Sequence, residues 1–491
     1  MSSASTSANS SGRDAVTPLL IDRILASVER NPDATAVVWN DQPVSYRLLL
    51  AYLSNAVRHL HREGITPGLT VGLEMRQGPL HLVTLLALAR LGAVIVPLFS
   101  SARSERKEAV FRNFAIGTVV ADHPAAVPDG CRVVVVRSLA AKGDEAALDA
   151  SGFVPMGATP LRIGLTSGTV GPRRGILLTH GAFMRRLGRR FYGAGDPPRV
   201  IPPTLHVTAA LQLATHALCA GGTVVFPPSY DEADFVAAIK RHRVTHVTMP
   251  AVHLASILDE LPADHAPFPS IRHVRLQGGM PAPVLIDRVR RHFSPHVHVP
   301  YSTTEVGVIA MATPETLAVA PQSSGPVAPG ARVEILGEDG RVLGLGMSGE
   351  IRVQVDGMPS GYVGGEQGAP RRFRDGWFYP QDRGRLGADG LLFVEGRIDD
   401  VINLGGRKLS PRHAEAVLED FPGVREAAVY AFEDAGDTRI AAAIVASGDL
   451  DWKALERHAH SALEIFAPAR YHAVESLPRN SAGKLLRREL K

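Results

Sequence analysis

The amino-acid sequence predicts an α/β protein. It should have a large N-terminal domain of parallel or mixed sheets flanked by helices, a small β-rich subdomain, and a small, mobile α+β C-terminal domain. Over much of its 491 residues, strand-like apolar runs alternate with helix-like runs, a pattern typical of parallel sheets. After about Ser323 the runs shorten and glycine-rich turns separate them, which predicts the β-rich subdomain. A compact unit that contains both strand-like and helix-like runs follows Arg397 and predicts the C-terminal domain.

The predicted elements follow one another along the chain. The earlier ones are strand 36–39, helix 46–61, strand 70–75, helix 80–91, strand 93–98, strand 161–165, a helix from about 179, helix 209–220, strand 223–226, helix 233–243, strand 246–249, strand 273–276, helix 284–293 and strand 296–299. The later ones are strands 332–336, 349–355 and 391–395, a helix with Ser410 as N-cap and Pro411 at its first position, strands 427–432 and 440–445, and helix 452–463. Arg90, Gly92 and Pro97 interrupt the apolar stretch 80–98, so it predicts a buried helix and strand and no membrane span.

Four segments are expected from these boundaries: a disordered tail at 1–15, the large domain at 16–396, a hinge at 397–400 and the small domain at 401–491. The tail is rich in small polar residues and lacks the apolar centre of a signal peptide.

Composition and charge bear on the ligand class and on the cellular compartment. The net charge is only +4 and the basic residues are scattered, which argues against a nucleic-acid surface. The two cysteines, Cys131 and Cys219, lie in apolar runs, so we expect buried, reduced thiols and a cytoplasmic protein. We expect a monomer or a homodimer.

The loop between Leu165 and Gly175, Leu-Thr-Ser-Gly-Thr-Val-Gly-Pro-Arg-Arg-Gly, carries the strongest chemical signal. From Thr166 onward it packs three hydroxyls, three glycines and two guanidinium groups into ten residues. Glycines allow close approach of a ligand, hydroxyls donate hydrogen bonds and arginines neutralise anionic oxygen, which together predict a polyphosphate cradle. It is not a Walker P-loop, because no Gly-Lys-Ser/Thr closes it. The alternative for the loop alone is an ordinary polar turn.

Four more segments point to the same chemistry. Pro300-Tyr-Ser-Thr-Thr-Glu305 places an aromatic ring, hydroxyls and a carboxylate at the carboxyl end of a strand, where α/β sheets bind ligands. A carboxylate beside phosphate-binding hydroxyls suits Mg²⁺. The others are Gly278-Gly-Met280 after a strand, Asp382 with Arg397 as a candidate ribose site, and a polar Gly483-Lys484 loop.

Three further patterns are weaker. Gly344-Leu-Gly-Met-Ser-Gly349 matches G-x-G-x-x-G, but a strand-like run follows it where a dinucleotide site needs a helix. His296 and His298 lack a cysteine or acidic partner nearby, so core or surface histidines are favoured over a metal pair. His206 has no G-x-S-x-G serine beside it, so a hydrolase triad is unsupported.

Taken together and in this order, the motifs resemble those of the adenylate-forming enzymes: acyl- and aryl-CoA synthetases, peptide-synthetase adenylation domains and luciferases. The pattern is most similar to the acyl- or aryl-CoA ligases, and the resemblance covers about 16–490. It implies that Thr304, Glu305, Arg397 and Lys484 are catalytic and that Glu305 and Thr166 hold Mg²⁺. The ATP-binding residues that it implies are Thr166, Ser167, Gly168, Thr169, Gly171, Arg174, Gly279, Met280, Tyr301, Ser302, Thr303, Thr304, Asp382, Arg397 and Lys484.

The resemblance also implies an acyl pocket and a mobile domain. The pocket residues would be His206, Gly278 and Tyr301, the hinge residue Asp399, and the loop that faces the thiol Gly405, Gly406, Arg407 and Lys408. The implied reaction activates a carboxylic acid with ATP and Mg²⁺, then transfers the acyl group to the thiol of CoA. A stand-alone enzyme that loads a carrier-protein phosphopantetheine is an alternative, since both acceptors present the same thiol arm.

The sequence departs from the family pattern at three places. Arg174 stands where a lysine is usual, Pro380-Gln381 precedes Asp382 in place of Thr-Gly, and Ser302 replaces a glycine. Arginine keeps the charge of lysine but not its geometry. A non-catalytic ATP-binding regulatory paralogue is therefore a third interpretation. Amino-acid-activating relatives place an aspartate where this chain has His206, so an aryl or aliphatic acid is preferred over an α-amino acid, whose ammonium would be buried unpaired.

Overall fold

The computed structural model describes residues 18–99, 104–138, 147–149, 151–166, 174–188, 197–364, 371–404, 407–434, 437–479, 483 and 485–490. The helices within these residues are α1 Leu20–Arg30, α2 Tyr46–Arg62, α3 Pro79–Arg90, α4 Ser104–Asn113, α5 His180–Gly188, α6 Thr208–Cys219, α7 Glu232–His242, α8 Ala251–Glu260, α9 Pro283–His292, α10 Pro314–Val319, α11 Pro411–Glu419 and α12 Trp452–Leu463. The strands are β1 Thr35–Trp39, β2 Gln42–Ser45, β3 Thr70–Glu74, β4 Val94–Pro97, β5 Thr118–Ala121, β6 Arg132–Val135, β7 Pro160–Leu165, β8 Gly175–Thr179, β9 Arg199–Ile201, β10 Thr223–Phe226, β11 His246–Pro250, β12 His273–Gln277, β13 Val297–Thr303, β14 Gly307–Ala312, β15 Ala331–Leu336, β16 Gly349–Val355, β17 Phe373–Arg374, β18 Trp377–Phe378, β19 Asp382–Leu386, β20 Leu392–Arg397, β21 Ile402–Leu404, β22 Arg407–Leu409, β23 Val424–Asp434, β24 Asp437–Ala446 and β25 Arg470–Ala473.

Two large mixed sheets form the N-terminal part. One has the strand order β6-β5-β3-β4-β7-β8 and is parallel except at β8. The other has the order β14-β13-β12-β11-β9-β10-β1-β2 and is parallel except at its two edge strands. Buried β-branched and leucine side chains dominate their central strands, as in sheets covered on both faces. The α/β prediction is therefore confirmed, and the carboxyl ends of β7, β12 and β13 carry the predicted ligand motifs.

The segment that follows the predicted phosphate loop differs from the expectation. A strand, β8, comes directly after the loop, and the helix α5 begins only at His180. Gly175 pairs with Leu165 and Leu178 with Arg162, so the loop joins two antiparallel strands. The helix expected from about 179 is confirmed, but β8 was not predicted, because its apolar part, Ile176 to Leu178, is only three residues long.

The Tyr301 motif also lies within regular structure. β13 continues through Thr303, because β14 pairs with it antiparallel and places Ala310 opposite Tyr301. A register shift between Tyr301 and Ser302 bends the strand at the motif. His298, in the same strand, stacks its ring on His273 at 3.8 Å between centroids, and burial lowers its pKa to about 4.

A β-rich unit and an α+β unit complete the chain. β15 to β20 form one six-stranded sheet. β23, β24 and β25 form another sheet, and a hydrophobic core of their own packs them against α11 and α12. Ser410 precedes α11 as expected, but its hydroxyl donates to the Glu395 carbonyl and does not cap the helix. None of the helices in the described residues combines the length and apolarity that a membrane crossing needs.

Candidate active site

A cavity of about 1120 Å³ lies where the N-terminal sheets, the β-rich unit and the C-terminal unit meet. Its lining contains most of the residues that the sequence predicted and that the structure describes. These are Thr166, Arg174, Gly278, Gly279, Met280, Tyr301, Ser302, Thr303, Thr304, Glu305, Asp382, Arg397 and Asp399. Segments more than 200 residues apart in sequence therefore converge on one space.

Other predicted residues are not in that lining. Ser167, Gly168, Thr169, Gly171, Gly405, Gly406 and Lys484 lie outside the described residues, as does the side chain of Lys408. Gly483 lines the cavity, directly before Lys484 in the chain. Arg407 is exposed and does not line the cavity. His206 does not line it either, although the next residue, Val207, does.

The two ends of the predicted phosphate loop form a stem in which they are bonded to each other. The Thr166 amide donates to the Arg174 carbonyl at 2.9 Å. Gly175 has no space for a side chain, because an added Cβ would lie 2.5 Å from both Ile163 and Phe114. The stem thus holds Thr166 and Arg174 side by side at the cavity.

The segment from Gly278 to Met280 depends on glycine. Gly278 and Gly279 have φ values of 102° and 133°, in the region that residues with a Cβ rarely adopt. They follow Gln277, the last residue of β12. The backbone can therefore turn at the sheet edge, where both glycines line the cavity.

Tyr301 and the candidate ribose pair form one hydrogen-bonded group. β19 and β20 pair with Asp382 opposite Arg397, and the Arg397 Nη1 lies 3.3 Å from Asp382 Oδ1. The Tyr301 hydroxyl donates to Asp382 Oδ2 at 2.6 Å. Burial, reinforced by the Asp382 charge, raises the pKa of Tyr301, so the hydroxyl stays protonated. Arg397 also reaches Asp399, the predicted hinge residue, with 3.6 Å between Nη2 and Oδ2.

Gln381 takes part in this group too. Its φ is 62°, a left-handed conformation that favours glycine. Its Oε1 accepts hydrogen bonds from Arg372 at 2.6 Å and from Arg397 at 3.4 Å. The glutamine that departs from the family pattern therefore orients two guanidinium groups at the cavity.

Glu305 is held from two sides. Glu305 is only 6% exposed, and the Tyr362 hydroxyl donates to its Oε1 at 2.6 Å. From α5, Arg186 donates to the backbone carbonyls of Thr304, at 3.0 Å, and of Glu305. Arg174 lies over the Tyr362 ring, 5.2 Å from its centroid. The carboxylate and the phosphate loop are thus joined through one tyrosine.

The donor set fits Mg²⁺ bound together with a nucleotide. Glu305 supplies one carboxylate at the cavity, and Thr166 supplies a hydroxyl. Mg²⁺ is usually held by one or two carboxylates together with phosphate oxygens and water, so such a set suffices once a triphosphate is bound.

His206 lies in a buried cluster beside the cavity. Its ring packs edge-on against His81, with 4.7 Å between centroids, and lies tilted against Phe99, with 5.0 Å between centroids. Arg162, fully buried in β7, donates to the His206 carbonyl. Burial, with a smaller contribution from the Arg162 charge, lowers the pKa of His206 to about 4. The imidazole is therefore neutral at physiological pH.

Comparison with known families identifies the chain. AMP-binding enzymes match residues 24–363, and the AMP-binding enzyme C-terminal domain matches residues 413–484. The chain belongs to the AMP-binding enzyme family.

This AMP-binding enzyme is similar to ligases that differ in acid and in acceptor. It is 28% identical over 480 residues to indoleacetate–CoA ligase of Aromatoleum aromaticum, covering 92% of this chain and 94% of the relative. It is 27% identical over 492 residues to the fatty acid–[acyl-carrier-protein] ligase ScoC of Streptomyces coeruleorubidus, covering 94% of each. The solved O-succinylbenzoate coenzyme A synthetase of Bacillus subtilis, in complex with ATP and magnesium ion, superposes with a TM-score of 0.83 at 25% identity, covering 95% of this chain and 98% of that one.

Sequence reasoning missed several residues at the cavity of this AMP-binding enzyme, among them Arg186, Tyr362 and Arg372. Tyr362 lies in the glycine-rich run Ser360-Gly-Tyr-Val-Gly364, whose turn composition was a usable signal for a chain segment near a ligand. Arg186 is one of two adjacent arginines on α5, and nothing in the sequence separates it from its neighbour Arg185.

Proposed function

We propose that this enzyme activates an aryl or aliphatic carboxylic acid with ATP, releases pyrophosphate, and transfers the acyl group from the adenylate to a thiol, with CoA as the favoured acceptor. One observation carries the proposal: phosphate-loop residues, the Tyr301–Glu305 motif and the Asp382–Arg397 pair all line one cavity in a chain of the AMP-binding enzyme family.

In the first step a carboxylate oxygen attacks the α-phosphorus of ATP, and the bond from that phosphorus to the pyrophosphate oxygen breaks. Both reactants are anions, so the protein has to neutralise charge and align them. Arg174 would neutralise the phosphates and Thr304 would bond the α-phosphate. Glu305, with Thr166, would hold Mg²⁺, which when bound neutralises phosphate charge.

The nucleoside would lie on the Tyr301 side of the cavity. Its adenine would pack on the Tyr301 ring and along Gly279 and Met280, and its ribose hydroxyls would bond Asp382 and Arg397. The buried hydrogen bond between Tyr301 and Asp382 supports this arrangement, because it sets the carboxylate at a fixed position beside the ring.

We assign Lys484 to the first step and the loop 405–408 to the second, with Asp399 as the hinge of a small domain that begins near 401. The separate hydrophobic core of the C-terminal unit supports independent movement. The position of Gly483 against Pro250, at the start of α8, supports delivery of the next residue to the cavity. In the second step the thiol sulfur attacks the acyl carbon and AMP leaves.

The cavity lining combines apolar and polar side chains and disfavours an α-ammonium group on the acid. Val207, Val299 and Val308 line it, and the neutral His206 beside it offers no anion for an α-ammonium. Arg275, only 1% exposed, and Gln212 also line it. Acids with a second carboxylate or another hydrogen-bond acceptor therefore belong among the candidates.

The acceptor has two candidates, and the relatives include one of each: a CoA ligase and an acyl-carrier-protein ligase. Both thiols arrive on the same phosphopantetheine arm, so a single channel serves either. A cytoplasmic location fits this chemistry and the two free cysteines, Cys131 and Cys219.

Acid-dependent ATP–pyrophosphate exchange tests the proposal, with a panel of aryl, short-, medium- and long-chain, dicarboxylic and amino acids. Exchange with one acid class would establish adenylation, and CoA and carrier proteins are then compared as acceptors. ATP binding without exchange under any acid would favour the regulatory interpretation.

The roles within the reaction are separated by Lys484→Ala. This variant should lose exchange and still form thioester from supplied acyl-adenylate. Lys453→Ala is the matched control, because Lys453 is an exposed lysine of α12 in the same unit. An equal loss of both half-reactions in Lys484→Ala would contradict the assignment.

A further inference from the structure

Tyr362 touches both halves of the proposed phosphate site. Its hydroxyl donates to Glu305 Oε1 at 2.6 Å, and its ring lies under the Arg174 guanidinium at 5.2 Å. We propose that Tyr362 is a positioning residue that fixes the Glu305 carboxylate for Mg²⁺ and couples it to the phosphate loop. This inference rests on the proposed function, because it takes Glu305 as the metal ligand.

The backbone anchors Tyr362 at the exit of that loop. The Val363 amide donates to the Gly175 carbonyl at 2.8 Å, and the two residues form an antiparallel bridge. Gly175 is the first residue of β8, directly after Arg174. The loop and Tyr362 are therefore held in register, and a shift of one displaces the other.

Packing fixes the ring as well. Tyr362 is 7% exposed and lies against Ile176 and Leu178 of β8. Phe373 meets it edge-on at 5.4 Å. Because these contacts fix the orientation of the ring, they also fix the direction of its hydroxyl, which points at the Glu305 carboxylate.

The chemistry of the hydrogen bond suits a metal ligand. A carboxylate oxygen only accepts hydrogen bonds, so the Tyr362 hydroxyl is the donor in this bond. A donor on Oε1 fixes the orientation of the carboxylate and leaves Oε2 to face a cation. Partners of this kind around metal ligands typically change metal affinity by about 10- to 100-fold when removed.

The test separates the hydroxyl from the ring. Tyr362→Phe removes only the hydrogen bond, whereas Tyr362→Leu also removes the surface under Arg174. Mn²⁺ affinity of the enzyme–ATP complex is measured by electron paramagnetic resonance, and ATP affinity in EDTA by calorimetry. Tyr46→Phe is the matched control, since its buried hydroxyl bonds the Leu218 and Gly222 carbonyls.

We expect Tyr362→Phe to weaken Mn²⁺ binding about tenfold and to leave ATP binding in EDTA within twofold of wild type. Tyr362→Leu should weaken both, Tyr46→Phe neither, and Glu305→Gln should remove the Mn²⁺ site. Mn²⁺ affinity unchanged in Tyr362→Phe, or an equal loss of ATP affinity in EDTA, would overturn the positioning role.

Acid-dependent exchange by the wild-type enzyme is measured alongside, so that the two proposals fail separately. Exchange together with unchanged Mn²⁺ affinity in Tyr362→Phe would overturn only the role of Tyr362. An enzyme–ATP complex that does not bind Mn²⁺ would overturn that role and also the assignment of Glu305.

Discussion

Gly483 offers the sharpest test of how the C-terminal unit docks. It has a φ of 76° and lies so close to the large domain that an added Cβ would meet the Pro250 Cβ at 2.9 Å. Real Cβ atoms essentially never approach that closely, and the proline ring at the start of α8 cannot move aside as the tip of a flexible side chain can. Gly483→Ala should therefore push the unit away from the cavity at the position next to Lys484.

Overpacking of this kind costs about 1–3 kcal/mol. If adenylation needs the docked arrangement, this converts to a loss of roughly 5- to 150-fold in the rate of acid-dependent pyrophosphate exchange. Thioester formation from supplied acyl-adenylate, which we assign to a rotated small domain, should stay within twofold of wild type.

Backbone strain has to be separated from docking. Alanine at a positive φ costs about 1–2 kcal/mol wherever it occurs. Gly448→Ala is the matched control, because Gly448 has a φ of 91° in the same unit and nothing lies within 4 Å of its added Cβ. Equal losses of the two half-reactions in Gly483→Ala, or the same loss of exchange in Gly448→Ala, would refute the reasoning.

Three further predictions concern stability and nucleotide binding. Burial raises the pKa of Glu419 from 4.5 to about 7, although the charge of Arg412 opposes this shift. The ionised carboxylate therefore lowers the free energy of unfolding at pH 8, and this free energy rises again as the pH falls from about 8 toward 4.5. Glu419→Gln should raise the Tm at pH 8 and flatten its rise toward acid pH, and an unchanged Tm at pH 8 would contradict this. Tyr301→Phe, which removes the 2.6 Å hydrogen bond to Asp382, should raise the KM for ATP about tenfold, equivalent to ~1.4 kcal/mol, near the lower end for a bond to a charged group. The KM for the acid should not change; equal increases in both would count against a nucleotide role. Gln381→Gly relieves about 1 kcal/mol of left-handed strain and loses a hydrogen-bond acceptor, so thermal unfolding should place its Tm above that of Gln381→Ala, which only loses the acceptor. The reverse order would show that the strain is negligible.

Motifs confined to a strand end were predictable from sequence. The glycine pair after β12 and the motif around Tyr301 each combine an apolar strand with polar residues at its carboxyl end. Strand ends of parallel neighbours meet at one sheet edge, so local pattern and fold class together predict their convergence. The family resemblance then connects Asp382 and Arg397, which the β19–β20 register indeed places opposite each other.

Contacts between single residues of distant elements were not predictable. Tyr362 reaches Glu305 across 57 residues, and Arg186 reaches the Glu305 carbonyl across 119. Neither contact leaves a periodicity in the sequence, because each depends on the packing of one side chain between elements. The strand β8 escaped prediction for another reason: its apolar part, Ile176 to Leu178, is only three residues long, and pairing with β7 makes it a strand.

The departures from the family pattern bear on whether the nucleotide site is maintained. A chain whose nucleotide site had decayed would leave its replaced residues without contacts at the cavity. Instead, Arg174 lies over the ring of Tyr362, and Gln381 accepts hydrogen bonds from Arg372 and Arg397. Gln381 keeps these bonds despite a backbone conformation that favours glycine. Such a compensated arrangement is expected where selection maintains the geometry of the nucleotide site. An ATP-binding regulatory paralogue would keep that geometry too, so acid-dependent pyrophosphate exchange is the measurement that separates the two interpretations.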